Sequence, residues 1–297
     1  MAPRIVVVGS ANMDLVGLAE RLPAPGETVL GDDFVMTPGG KGANQAIAAA
    51  RAGGECEFLG AIGSDSFGVT INARLVASGV DTANLRTNYG SSGVAVIMVD
   101  RTGENAILVS PGANRDFAGL TEGEKAVVAA ADVLICQQEI PVATVIEAAR
   151  AARAGGTRVV LNAAPARELP VELIELVDLL VVNEVEARAI TGPSELDMDA
   201  LLAVVPRVVL TLGGAGVWYA DREGRSERLP AYRVKVVDTT AAGDAFTGAL
   251  AVAWAEGRDI IDAVRWATAA GAACVRKVGA YPSLPLRSDI DALYATH

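Results

Sequence analysis

The chain has 297 residues, 51% hydrophobic and 21% charged, so it carries enough apolar material for a full core and is too apolar to be disordered. Its 25 Lys and Arg against 36 Asp and Glu leave a net charge of −11, which argues against a nucleic-acid partner, since such binding rests on clustered cations facing phosphates. The sole His is His297, which removes Ser-His-Asp and Cys-His machinery, HExxH zinc sites and a His general base, leaving acid–base work to carboxylates.

Mean hydropathy is +0.34, yet no stretch approaches the roughly 18 continuous apolar residues of a membrane helix. The densest run, Leu176 to Val182, is strand-length and interrupted by Asp178. The chain enters Arg4-Ile5-Val6-Val7-Val8-Gly9 without a charged leader and apolar h-region, so a soluble, cytoplasmic protein with no membrane partner is expected. Cys56, Cys136 and Cys274 lie far apart with no CxxC and read as small buried hydrophobes in a reducing compartment.

In chain order, β-branched runs predict strands at 5–8, 57–59, 94–99, 133–136, 158–161, 179–182, 208–212 and 217–219. Ala-rich stretches predict helices at 44–52, 67–77, 122–131, 142–154, 185–190, 245–255 and 260–275, with Gly155-Gly156, Gly192-Pro193 and Gly257 at helix ends. This alternation indicates an α/β fold: three layers, with a mostly parallel central sheet between helices. Two segments break the pattern. Residues 11–38 carry Pro23, Pro25, Gly26, Gly31 and Pro38 among short extended pieces at 14–18, 27–29 and 33–36, and residues 88–110 look like a hairpin. They read as a small protruding β-sheet, a candidate lid on a single domain spanning 1–297. Leu15, Val29, Val35, Val94, Val96 and Met98 would give this layer an apolar face with no helix to cover it. Two copies are therefore expected to pack lid against lid in a symmetric homodimer.

Neither GxGxxG nor GxxxxGK[ST] occurs: Gly40-Lys41 is followed by Gly42, and position 35 is Val. A dinucleotide dehydrogenase and a P-loop NTPase both lose their main support. Gly39-Gly40-Lys41-Gly42-Ala43-Asn44-Gln45-Ala46 leads into a helix and holds one of only four Lys residues. Three glycines let the backbone approach a ligand; the run reads as a flexible turn or as a polyol or phosphate site. Val237-Asp238-Thr239-Thr240-Ala241-Ala242-Gly243-Asp244-Ala245-Phe246 follows a strand-like 232–237 and opens another helix. A small-residue loop at a helix start presents free N–H groups to an anion. There Asp244 is a helix-start acid, or a general base for phosphoryl transfer. Asn183-Glu184-Val185-Glu186 reads as a capping box, and Thr211-Leu212-Gly213-Gly214-Ala215-Gly216-Val217 as a hairpin turn or a nucleotide contact. Asn12 and Asp14 follow the first strand, where open parallel sheets bind ligands; they are turn residues or hydroxyl ligands.

Taken together and in this order, these motifs resemble the ribokinase-like family of sugar and nucleoside kinases over essentially the whole chain. The Gly39–Gln45 and Asp238–Phe246 runs are the most specific elements. Pro25-Gly26-Glu27-Thr28, Gly112-Ala113-Asn114, Asn162–Pro170 and Gly279-Ala280-Tyr281-Pro282-Ser283 bring it nearest the ribose-phosphorylating members. The resemblance implies an ATP-dependent kinase acting on the 5-hydroxyl of D-ribose. Deoxyribose, fructose or a nucleoside as acceptor, or a non-catalytic binding protein, stand as alternatives; the joint presence of Asp244, Gly243, Asn183 and Glu186 argues against the last. It further implies that Asn12, Asp14, Gly39, Gly40, Lys41 and Asn44 hold the sugar, with Glu139 bonding another hydroxyl. Asn183, Thr211, Gly213, Gly214 and Gly216 would contact ATP, and Glu186 would organise Mg²⁺ through water. Ala241, Ala242 and Gly243 would form an anion hole beside the base Asp244. Asp238, Thr240, Cys274, Lys277, Gly279 and Ser283 match a loop for K⁺, an ion suited to rings of neutral oxygens. Thr268 stands where some members carry His near the adenine.

Overall fold

The computed structural model describes residues 2–192 and 196–296; Pro193 and His297 lie outside the described residues. An eight-stranded sheet runs in the order Ser226–Leu229, Val217–Asp221, Arg207–Thr211, Leu179–Asn183, Arg158–Asn162, Val133–Cys136, Arg4–Val8 and Glu55–Leu59. From Arg207–Thr211 onward every neighbour is parallel, while Val217–Asp221 and Ser226–Leu229 add an antiparallel edge.

Strand period decides the layering. Ile5, Val7, Val133 and Ile135 face one apolar cluster, shared with the helices Lys41–Arg51, Ala242–Ala255 and Ile260–Cys274. Val6, Val8, Leu134 and Cys136 face a second cluster with Val128, Val145 and Ala187, from the helices Glu122–Ala129, Val142–Gly155 and Glu184–Thr191. Both faces are covered, hence the uninterrupted apolar runs and the three layers that the sequence predicts. Within the first layer, a Cβ on Gly248 would lie 2.6 Å from the Ala48 Cβ and 2.8 Å from the Gln45 carbonyl oxygen. The absence of a side chain there lets the helices Lys41–Arg51 and Ala242–Ala255 close to near backbone contact.

The protruding sheet has four strands, ordered Gly31–Gly39, Asn12–Ala19, Gly93–Val99 and Asn105–Ser110. Gly31–Gly39 is one nine-residue strand, longer than the piece expected at 33–36, and residues 27–29 belong to no strand. Leu15 pairs with Met36 and Val96, and Val96 with Leu108; Val16 pairs with Val35 and Ile97. Paired residues share a face, so Val35 lies opposite to Leu15, Val94, Val96 and Met98, and the expected single apolar face resolves into two. Met36, Val96 and Leu108 expose one, and Val35 and Ile107 the other.

Residues 232–237 form no strand despite their β-branched content. The helices begin at Lys41 and Ala242 rather than 44 and 245, because Gly and Ala in a first turn carry no apolar period. Cys56, Cys136 and Cys274 are buried and free, and burial pushes the thiols of Cys56 and Cys136 up. No helix among the described residues is long and apolar enough to cross a membrane.

Candidate active site

The first strand ends at Val8, and the turn Gly39–Gly42 folds directly onto the segment that follows it. The Ala43 amide donates to the Ser10 carbonyl at 2.8 Å. A Cβ on Gly42 would meet the Ser10 nitrogen at 2.5 Å, and one on Gly40, where φ is 91°, the Asn12 nitrogen at 2.8 Å. The glycines are thus required for close approach of two backbones. Glu139 pins the turn from below, accepting from the Ser10 hydroxyl at 2.5 Å and from the Lys41 amide at 3.0 Å. Asn114 donates to the Asn12 Oδ1 at 2.8 Å and accepts from the Ala11 amide at 2.9 Å. The Asp14 carboxyl lies flat against Gly39, 2.1 Å from where a Cβ there would sit.

Asp244 enters from the opposite element. Ala241 caps its helix in the left-handed region (φ 60°), the one non-glycine residue with positive φ among those described. Asp244 is buried, and its Oδ2 accepts from Asn44 at 3.1 Å and its Oδ1 from Gln45 at 2.9 Å. Burial raises its pKa, against the lowering effect of Lys41 and the two amides. Burial, then Glu139 and Asp244, push the Asp14 carboxyl up to about 7. Burial alone would lower the Lys41 pKa, but Asp244, Glu139 and Glu186 outweigh it and hold the ammonium above its ordinary range. Asp14, Lys41, Glu139 and Asp244 therefore share one electrostatic neighbourhood, with Glu186 at its margin. A Cβ on Gly243 would meet nothing within 4 Å, so the N-terminus of Ala242–Ala255 opens to free space beside Asp244. A buried carboxylate with raised basicity, a cation and an open helix start, where the Ala242 amide donates back to the Thr239 carbonyl at 3.3 Å, are the parts of a proton acceptor coupled to an anion cradle.

The nucleotide-assigned residues lie along the C-terminal edge of the same sheet. Asn183 and Thr211 are register partners on adjacent parallel strands. The capping box is present in full: Asn183 accepts from Val185 and Glu186 amides, and its own amide donates to Glu186 at 2.8 Å. Gly213–Ala215 form a short 3-10 turn. A Cβ on Gly216 would strike the Leu229 carbonyl at 2.0 Å, whereas one on Gly214 meets nothing within 4 Å. Thr268 is buried with its hydroxyl donating to the Val264 carbonyl of its own helix at 2.8 Å, which leaves it no outward donor.

The two loops matched to a monovalent ion do meet. Asp238 accepts from the Thr240 amide and hydroxyl at 2.9 and 2.7 Å, and from the Gly279 amide at 2.7 Å. The Cys274 thiol lies 3.5 Å from the Thr240 carbonyl and 3.0 Å from the Ser283 hydroxyl. Burial, helped by the charges of Asp244 and Asp238, pushes this thiol up to about 11, while the Ser283 hydroxyl and, less, Lys277 oppose the shift. The Ala280 carbonyl accepts from Ser283, and Arg51 donates to the Tyr281 and Leu284 carbonyls. The Ala280, Tyr281 and Leu284 carbonyls thus have protein donors.

Ser10, Asn114, Gln137 and Asn162 carry no individual role in the sequence motifs, and Gln45 only a place beside Lys41 and Asn44 in the sugar or phosphate turn. Gln45, Asn114 and Asn162 sit inside the quoted motifs, and Gln137 directly precedes Gln138-Glu139, so adjacency was the available signal.

The pfkB family carbohydrate kinase profile matches residues 2–287. The chain is 41% identical to the ribokinase of Bacillus subtilis over 298 residues, covering 97% of this chain and 98% of that one. It is 37% identical to the ribokinase of Haemophilus influenzae over 299 residues, covering 97% of each. It superposes on Arabidopsis thaliana ribokinase, solved with ribose and ATP, with a TM-score of 0.92 at 34% identity, covering 99% of both chains.

Proposed function

The chain belongs to the pfkB family of carbohydrate kinases, and on that premise we propose that it transfers the γ-phosphoryl group of ATP to the 5-hydroxyl of D-ribose in the cytoplasm. The observation that carries this reading is Asp244. It lies buried at an open helix N-terminus, bonded to Asn44 and Gln45 of the glycine-rich turn, so acceptor and anion sites adjoin. The likeness to ribokinases over nearly the full chain supports ribose as the acceptor.

Asn12, Asp14, Gly39, Gly40, Lys41, Asn44 and Glu139 hold and orient the sugar hydroxyls. A carboxyl with its pKa near 7, as on Asp14, can donate to one hydroxyl and accept from another. Asp244 takes the proton of the attacking hydroxyl as the O5–P bond forms and the bond from phosphorus to the bridging oxygen of ADP breaks, its electron pair leaving with ADP. Lys41 and the amides of Ala241, Ala242 and Gly243 meet the negative charge of the transferring group. Asn183, Thr211, Gly213, Gly214 and Gly216 line the nucleotide side, with Thr268 behind it. Glu186 fits Mg²⁺, which commonly combines one or two carboxylates with substrate phosphates and retained waters; bound there, the ion neutralises phosphate charge. Asp238 with the carbonyl and hydroxyl oxygens of Thr240, Cys274, Lys277, Gly279 and Ser283 forms a mostly neutral oxygen set that suits K⁺. The ion would hold the 241–244 turn in its anion-binding shape. Two copies pair through the protruding sheet, which acts as a lid.

The test is a coupled ADP-release assay over ribose, deoxyribose, fructose and nucleosides, with the product's phosphate position read by NMR. Ribose is expected to give the highest kcat/KM and a 5-phosphate. A higher kcat/KM for any other acceptor, or no turnover, overturns the reading.

A further inference from the structure

We infer that Gln45 is a positioning residue for Asp244 and that Gln137 fixes the sense of the Gln45 amide. This rests on the reading of Asp244 as the base. Gln45 and Gln137 are wholly buried, so neither reaches substrate from where it stands. The Gln45 Nε2 donates at 2.9 Å to Asp244 Oδ1 and at 2.9 Å to Asn162 Oδ1. Asn162 is itself oriented, because its Nδ2 donates to the Val181 carbonyl at 3.3 Å. Two acceptors on one side oblige Gln45 to present its NH₂ there and its Oε1 on the other side, where the Gln137 Nε2 donates at 2.7 Å. Reversing either glutamine would set oxygen against oxygen, so the chain of amides has one consistent assignment.

Backbone packing supports the same end. Gly248 brings the helix carrying Gln45 against the helix carrying Asp244. Gly9 makes room at the far end: a Cβ there would lie 2.0 Å from the Gln137 Oε1. That Oε1 is buried without a hydrogen-bond partner in the structure, a cost that is explicable if the residue is retained for what its Nε2 does. With Oδ2 held by Asn44 and Oδ1 by Gln45, the Asp244 carboxylate cannot swing about its χ2. Lys41, Glu139, Asp14 and the Cys274 thiol also act on it electrostatically; its plane is fixed by Gln45 together with Asn44.

The experiment measures kcat and KM for Gln45→Met and Gln137→Met, alone and combined with Asp244→Asn. A base displaced by a fraction of an ångström to 1 Å is expected to lose on the order of 10- to 100-fold in turnover. Gln45→Met should therefore lower kcat by at least ~10-fold, with sugar and ATP KM within about threefold, since uniform binding is untouched. Gln137→Met should act in the same direction by a smaller factor. In the Asp244→Asn background neither change should lower the residual turnover further, because a residue acting through the base has nothing left to position. Unchanged kcat in folded Gln137→Met protein, or an equal fall with and without Asp244, overturns the inference. If Gln45→Met does not fold, the Gln137 pair decides alone. Wild-type turnover by Asp244→Asn itself would show a different failure, that of the base assignment.

Discussion

Replacing Gly39 by Ala should damage sugar binding through a side chain the substitution never removes. The new Cβ would stand 2.1 Å from the Asp14 Oδ2, 2.5 Å from its Cγ and 2.7 Å from its Oδ1. An ordinary carbon–oxygen contact needs about 3.4 Å, so the carboxyl must retreat by roughly 1 Å or more. The backbone itself is unstrained, because φ at Gly39 lies outside the left-handed region. On the proposed binding mode, the retreat breaks the bonds Asp14 would make to sugar hydroxyls. A lost hydrogen bond to a charged group costs about 1.5–3 kcal/mol, or roughly 10- to 150-fold in affinity. Coupled-assay KM values should show that rise for ribose, with the ATP KM within about twofold and the melting temperature little changed. Combined with Asp14→Ala, the Gly39→Ala change should add nothing, since both remove the same contact. A wild-type ribose KM in Gly39→Ala, or an equal rise in the ATP KM, would refute the reasoning.

Four further outcomes are expected. Asp244→Asn should cost ~10²–10⁴ in turnover with ATP affinity within a few-fold; retention of more than a tenth of wild-type turnover would reduce Asp244 to a helix-start acid. Asp14, raised first by burial and then by Glu139 and Asp244 from the ordinary carboxylate value of 3.8 to about 7, holds its proton more tightly folded than unfolded. Rising pH between those values therefore destabilises the ligand-free protein. The melting temperature of Asp14→Asn should gain on wild type from pH 5 to 8, and a pH-independent difference would contradict this. Light scattering should find a dimer at micromolar concentration, and Leu108→Glu, on the exposed face with Met36 and Val96, should shift it to monomer; a wild-type monomer sinks the lid-to-lid pairing. Exchanging K⁺ for Na⁺ or tetramethylammonium at fixed ionic strength should lower turnover, and equal rates in all three salts would exclude the monovalent site.

The elements that position the site were legible because each carries a strong local signal. Val6–Val8 and Leu134–Cys136 are apolar on consecutive residues because both faces of their strands are covered. Gly39, Gly40 and Gly42 cluster because two backbones touch there. Elsewhere local signal and structure part. Residues 232–237 carry Val234, Val236 and Val237, but the sheet edge is already occupied by Ser226–Leu229, and β-propensity has meaning only against a neighbouring strand. Ser226–Leu229 itself is half charged and buries only Leu229, as edge strands do. The helix Arg287–Tyr294 fully buries only Ile290, with Leu293 and Tyr294 packed half-buried beside it, so its apolar stripe is a single short turn. Asp244 and the sugar turn could be named from motifs, yet the Gln45 amide that bonds Asp244 beside Asn44 is itself held by residues at positions 137 and 162. No spacing rule relates those numbers, because the fold, not the local sequence, makes them neighbours.

The glycines of the two half-sites differ in what surrounds them, and this bears on how the enzyme's selectivity can drift. Gly9, Gly39, Gly40 and Gly42 each face protein atoms within 3 Å of an added Cβ; on the donor side Gly216 is packed in the same way, 2.0 Å from the Leu229 carbonyl, but Gly214 and Gly243 face none within 4 Å. On the sugar side a single substitution collides with Asp14, Gln137 or a backbone, so a new acceptor preference must pass through compensated pairs of changes. On the phosphoryl-donor side the open positions accept small side chains one at a time, each altering only the room left for ligand. A randomised library of this chain should therefore yield altered donor use from single substitutions, and altered sugar choice only from coupled ones.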